Sequence, residues 1–125
     1  MKKILVIDDE KIVRISCERT LATEGYEVTS ASSANEALEL FKKNSFDLIL
    51  LDIKMPDMDG IEVLKKIKEA RPGTNVIMIT GYSTVDTAVK TLKLGAINYL
   101  EKPFTPDTPH YLNHHSLLTL HTTST

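Results

Sequence analysis

Four short apolar runs punctuate the chain: Ile4-Leu5-Val6-Ile7, Leu48-Ile49-Leu50-Leu51, Val76-Ile77-Met78-Ile79 and, more weakly, Ala96 to Leu100. Continuous runs of this length predict strands buried on both faces. The stretch Tyr26-Glu27-Val28-Thr29-Ser30 alternates apolar and polar residues, which predicts an edge strand. Helical patterns lie between the runs. Residues 11–24 carry Ile12, Val13, Cys17 and Leu21, and 34–43 carry Ala34, Ala37, Leu38 and Phe41. Residues 60–70 carry Ile61, Leu64 and Ile67, and 84–94 carry Val85, Ala88, Val89 and Leu92. Each is a one-sided stripe at spacings of three and four. Turn signals fall at Glu24-Gly25, Asp59-Gly60, Arg71-Pro72-Gly73 and Leu94-Gly95, with Gly25, Gly73 and Gly95 expected as helix C-caps. Five strands alternating with helices predict right-handed crossovers and a parallel sheet covered on both sides, an α/β fold without internal repeats.

The pattern stops after Phe104. Residues 105–125 hold one charged side chain, Asp107, together with all four histidines and eight Ser or Thr, while all 15 basic residues lie earlier. We therefore read residues 1–104 as one domain and 105–125 as an atypical C-terminal segment. His110 and His114 stand at helical i,i+4 spacing, but only Asp107 accompanies them, too thin a donor set for a physiological metal site. Adventitious binding to a nickel resin would not be surprising.

Length and composition narrow the class. A chain of 125 residues is one domain large enough to bury a core. Apolar residues make up 42% and charged residues 26%, the balance of a soluble globular protein. With 15 basic and 17 acidic side chains, a net charge of -2 points to neither a nucleic-acid nor a membrane surface. The only cysteine, Cys17, lies on the first helical stripe and reads as inert core, so no disulfide framework is expected and the location reads as cytoplasmic. Met55, Met58 and Met78 read as packing and loop residues. The apolar run after Met1-Lys2-Lys3 ends after four residues at Asp8-Asp9-Glu10, too soon for a signal peptide. No stretch reaches the length of a membrane span.

In an open parallel sheet, ligands bind beyond the carboxyl ends of the strands. There the first strand ends in Asp8-Asp9-Glu10, the third in Asp52, the fourth in Thr80-Gly81, and the fifth runs into Glu101-Lys102-Pro103. Carboxylates gathered at one edge repel and stay jointly ionised only with a cation between them. An all-oxygen donor set suits Mg²⁺, which takes one or two carboxylates plus phosphate oxygens and keeps several waters. Phosphoryl transfer needs mainly positioning and charge stabilisation. Lys102 offers a compact positive charge and Thr80 a hydroxyl donor, so the parts make a phosphoryl-aspartate site at Asp52.

The strings VIDDE at 6–10, LLDIKMPDMDG at 50–60, ITGY at 79–82 and YLEKPF at 99–104 resemble the receiver domain of two-component response regulators. The resemblance runs in order through residues 1–104. It implies a flavodoxin-like, doubly wound, five-stranded parallel sheet of order 2-1-3-4-5 with helices on both faces. It also implies a phosphorylation-dependent signalling switch in which Asp52 accepts a phosphoryl group from a sensor histidine kinase or a small phosphodonor. Asp9, Asp52 and the backbone carbonyl of Lys54 would bind Mg²⁺, with Asp8 acting through a metal-bound water. Thr80 and Lys102 would contact the phosphoryl group, Tyr99 would turn inward as the switch aromatic, and Lys102-Pro103 would carry a cis peptide. Lys54 and Tyr82, two residues after Asp52 and Thr80, are expected to tune phosphoryl lifetime. Such a domain catalyses its own phosphoryl transfer and autodephosphorylation and is not a metabolic enzyme. Its partners would be the kinase and a downstream output domain or protein, reached through the surface of the fourth helix and fifth strand. The stretch 81–96 is similar to receivers attached to enhancer-binding transcription activators.

The resemblance also marks a departure. The family closes with an amphipathic fifth helix, yet TPHYLNHHSLLTLHTTST at 108–125 places Pro109, His110 and Asn113 where apolar residues are expected, so that helix is absent, irregular or replaced. Thr108 as N-cap and Pro109 at the first position suit an irregular helix, while Leu118 and Leu120 alternate as in a strand. We expect this tail to be the product of truncation, frameshift or the way the chain was made. The face it leaves uncovered, or the fourth-helix and fifth-strand face, would then serve for dimerisation. A non-phosphorylated interaction module of the same fold is the alternative. A flavodoxin-like cofactor binder would want a Gly- or Ser/Thr-rich phosphate loop after the first strand, and a haloacid-dehalogenase-type phosphatase a DxD there. Three adjacent acids stand there instead.

Overall fold

The computed structural model describes residues 2–81 and 85–101. Lys102, Tyr82 and the tail 105–125 lie outside the described residues, so the expectations that rest on them are not addressed by the fold. The apolar runs form five strands: β1 (Lys3–Ile7), β2 (Glu27–Ala31), β3 (Leu48–Asp52), β4 (Asn75–Thr80) and β5 (Asn98–Glu101). All pair in parallel in the order β2-β1-β3-β4-β5, as expected. Alternation along the central strands splits the core into two layers. Leu5, Ile7, Ile49, Leu51, Val76 and Met78 face one side, and Ile4, Val6, Leu48, Leu50, Ile77 and Ile79 the other. A strand buried on both faces has no polar side to offer, which is why these runs lack alternation. β2 is an edge strand, as its alternating pattern predicts. β5 departs from expectation: Tyr99 and Leu100 are only half-buried, because β4 alone pairs with this strand among the described residues.

The helices are α1 (Lys11–Thr23), α2 (Ala34–Lys43), α3 (Gly60–Ala70) and α4 (Val85–Lys93). α1 covers one layer through Val13, Cys17 and Leu21. α2 and α3 cover the other through Ala34, Ala37, Phe41, Val63, Leu64 and Ile67. Ile12 does not join its stripe. It is 73% exposed, since one helical position away from Val13 turns it by about 100°. Val89 and Leu92 of α4 are likewise exposed, contrary to a fully buried stripe.

Helix ends follow local chemistry. After α1, the Gly25 N–H donates to Ala22 O at 3.0 Å and the Tyr26 N–H to Leu21 O at 3.1 Å, with Gly25 at φ 92°. After α4, the Gly95 and Ala96 N–H groups repeat the pair on Leu92 O and Thr91 O, with Gly95 at φ 107°. Both are Schellman turns, and both need a residue that tolerates positive φ. Gly73 is not a C-cap: α3 ends at Ala70 and is capped by Arg71, whose N–H donates to Ile67 O at 2.9 Å, and Gly73, two residues further on, has no positive φ.

Candidate functional site

Register brings the expected chemistry to one edge of the sheet. Ile7 pairs with Leu51 and Asp52 with Ile79, so Asp8, Asp52 and Thr80 emerge side by side at the carboxyl ends of β1, β3 and β4. The backbone beside Asp52 is fixed on both flanks. The Ile53 N–H continues the β3–β4 ladder to Ile79 O at 3.2 Å, and the Gly60 N–H closes on Ile53 O at 2.6 Å. Asp52 is 3% exposed, Asp8 is fully buried and Thr80 is 1% exposed, whereas Asp9 and Lys54 lie at the surface. Tyr99 sits half-buried against the α2 and α3 layer.

One carboxylate oxygen from each of Asp8, Asp9 and Glu10 lies within 4.8 Å of the other two. Asp8 Oδ1 accepts the Glu10 N–H at 2.8 Å, a turn that folds the acidic run back on itself where β1 hands over to α1. Arg14, one turn into α1, donates from Nη1 to the Asp8 carbonyl at 2.7 Å. Arg14 carried no signal beyond its spacing from the acids. The cluster of Asp8, Asp9 and Glu10 offers hard oxygen donors of the kind small divalent cations prefer. The Asp52 carboxylate is set deep at this edge, with little of it open to solvent.

A further acidic residue, given no role by sequence reasoning, reaches out of the loop that follows Asp52. Asp57 Oδ1 accepts the Ala34 N–H at 3.0 Å and Asp57 Oδ2 accepts the Asn35 N–H at 2.9 Å. These two hydrogen bonds hold its carboxyl below the usual carboxylate range. Its partners lie more than twenty residues upstream, so no local motif announces the contact.

Known proteins fall into line with this arrangement. The family model "response regulator receiver domain" matches residues 4–110. The regulatory protein AtoC of Escherichia coli (strain K12) is 41% identical over 107 residues, covering 86% of this chain and 23% of AtoC. The chain thus spans about a quarter of the length of the first curated relatives it matches, 23% in each case. The CheY-like response regulator receiver domain protein of Methanospirillum hungatei JF-1 superposes with a TM-score of 0.87 at 38% identity, covering 98% of both chains. The response regulator protein TrrA of Thermotoga maritima, solved in complex with Mg²⁺ and BeF, gives 0.82 at 34% identity over 96% of this chain and 99% of TrrA. On sequence and sheet order, the chain belongs to the response regulator receiver domain family.

Proposed function

We propose that this chain is a phosphorylation-dependent signalling switch of a two-component system, with Asp52 as its phosphoryl acceptor. The observation that carries the reading is the delivery of Asp8, Asp52 and Thr80 to one edge, with Asp52 only 3% exposed. A carboxylate oxygen of Asp52 bonds to phosphorus as the phosphorus–nitrogen bond of a histidine kinase's phosphohistidine breaks, the electron pair remaining on the imidazole. With acetyl phosphate the phosphorus–oxygen bond breaks and acetate leaves. Thr80 donates its hydroxyl to a phosphoryl oxygen and Lys102 pairs with another. Tyr99 follows Thr80 inward, and Lys54 and Tyr82 set how long the phosphoryl group lasts.

The donor set fits Mg²⁺. Asp9, Asp52 and the Lys54 carbonyl would hold it, with Asp8 behind them through a water. When bound, the ion screens the negative edge from an anionic phosphoryl group and stabilises charge on its oxygens. The resemblance to TrrA, solved with Mg²⁺ and BeF, supports this assignment.

The state of the switch passes to a downstream output domain or partner through α4 and β5, where Val89, Leu92 and Ile97 are exposed and available for contact, including with a second copy. Among the described residues no helix is long and apolar enough to cross a membrane, and we place the switch in the cytoplasm beside its kinase. Intact mass after incubation with Mg²⁺ and acetyl phosphate tests the reading. Wild type gains one phosphoryl group and Asp52→Asn gains none. No gain from any of several donors, a phosphohistidine kinase included, would instead favour a non-phosphorylated interaction module.

A further inference from the structure

The loop between β3 and α3 carries Lys54 and leads directly out of Asp52. Its base is closed by the Gly60 N–H on Ile53 O at 2.6 Å. Met55 and Met58 rest half-buried against the α2 and α3 layer. The base fixes the two ends of the loop but not the swing of its tip. That freedom is removed by Asp57, whose two oxygens take the Ala34 and Asn35 N–H groups at 3.0 and 2.9 Å.

The start of α2 also carries local caps. Ser33 already caps α2, its Oγ accepting the Glu36 N–H at 3.2 Å, and Glu36 Oε1 returns to the Ser32 N–H at 2.7 Å. Of the two remaining N–H groups of the first turn, that of Asn35 lies at the surface, while that of the buried Ala34 takes its acceptor from Asp57. A carboxylate brought from the acceptor loop ties that loop and the start of the helix to each other.

We propose that Asp57 is a positioning residue for the acceptor site, clasping the N-terminus of α2 so that the loop 53–59 presents the Lys54 carbonyl beside the Asp52 carboxylate for Mg²⁺. The proposal rests on the reading of Asp9, Asp52 and Lys54 as the Mg²⁺ donors. Asp57 touches neither the metal nor the phosphoryl group and acts through the backbone it restrains.

Calorimetric titration of the whole chain with Mg²⁺, well below the melting temperature, tests it alongside acetyl phosphate labelling. Asp57→Ala raises the Mg²⁺ Kd about tenfold, the low end for residues that orient metal ligands from outside, and slows labelling. Asp57→Asn is intermediate, because one amide oxygen accepts one of the two N–H groups. Ser33→Ala weakens the same helix end without touching the loop, lowering Tm while leaving the Kd at the wild-type value. A wild-type Kd and labelling rate in Asp57→Ala, or in Asp57→Asn should the alanine variant not fold, overturns the proposal. A rise in Kd in Ser33→Ala equal to that in Asp57→Ala does the same, because helix stability would then account for both. Absence of Mg²⁺ binding in wild type overturns the site reading and this proposal with it. Binding that Asp52→Asn loses and Asp57→Ala keeps overturns this proposal alone.

Discussion

Gly60 lies flush against the backbone of Asp52. A Cβ at Gly60 would overlap the Asp52 carbonyl oxygen and stand 2.7 Å from Ile53 Cα and 2.9 Å from Ile53 O. The first residue of α3 is thus a spacer without a side chain, letting the helix start directly on the end of β3. Gly60→Ala must push α3 off β3, an overpacking that costs about 1–3 kcal/mol, and it displaces Asp52 as well. Urea denaturation should show the loss, and acetyl phosphate labelling should slow. Gly73→Ala is the matched control, with nothing within 4 Å of its Cβ and no positive φ. It should stay within about 0.5 kcal/mol of wild type.

The acidic edge should respond to metal. With one oxygen from each of Asp8, Asp9 and Glu10 within 4.8 Å of the other two, these carboxylates repel when ionised, and a cation bound among them would relieve that repulsion. Mg²⁺ should therefore raise Tm in proportion to RT ln(1 + [Mg²⁺]/Kd), and a chelator should reverse the rise. Asp9→Asn should raise Tm in the absence of metal and abolish the Mg²⁺ increment. A thermal melt series with and without chelator checks both arms, and a chelator-insensitive Tm in wild type would contradict the cation site.

Acid should loosen the Asp57 clasp in a defined direction. The backbone donors at Asn35 and Ala34 lower the pKa of Asp57 in the folded protein. As pH falls, the unfolded chain takes up this proton first, so the contribution is complete above about pH 4 and is lost as pH falls through the lower folded value. Melting curves from neutral pH downward should show a steeper acid decline for wild type than for Asp57→Asn. Parallel declines would remove Asp57 from the acid response.

α2 is held from its other end as well. Arg71, just past α3, donates to Asn44 O at 2.8 Å and to Lys42 O at 3.4 Å, and its guanidinium lies 4.3 Å from the centroid of the Phe41 ring. Cation at the helix C-terminus and stacking on an aromatic face act together. Arg71→Ala should cost about 1–2 kcal/mol in urea denaturation. Arg71→Lys should recover only part of it, because an ammonium keeps the charge but cannot span two carbonyls in one plane. Full recovery by lysine would reduce the contact to charge alone.

What could be read along the chain followed from the range of each interaction. The strands were legible because Leu48 to Leu51 and Val76 to Ile79 are apolar at every position, which only a sheet covered on both faces requires. Asp52 and Asp8 were legible as site candidates because strand ends share an edge whatever the loops do. Ile12, Val89 and Leu92 were misread because a stripe shows which residues are apolar but not which helix face meets the sheet. Asp57 and Arg71 gave no signal, since each acts on a helix more than twenty residues earlier in the chain. Gly73 was misread by analogy with its neighbours Gly25 and Gly95, since a glycine after a helix marks a turn but not the sign of its φ.

Those two glycines separate two costs that are usually mixed. Gly25 at φ 92° has nothing within 4 Å of a built Cβ, so Gly25→Ala pays only for the left-handed backbone, about 1–2 kcal/mol. Gly95 at φ 107° would carry a Cβ 3.0 Å from Lys68 Cε, whose ammonium donates to Pro72 O at 3.1 Å and Thr74 O at 2.6 Å. Partial burial pushes the Lys68 pKa down, and the two carbonyl contacts hold its ammonium in place. Gly95→Ala should therefore destabilise more than Gly25→Ala, with the excess traced to Lys68. In a Lys68→Ala background the stem is gone and the two glycine substitutions should cost the same. A double-mutant cycle in urea measures this coupling, and equal costs in the presence of Lys68 would show that the lysine stem yields freely.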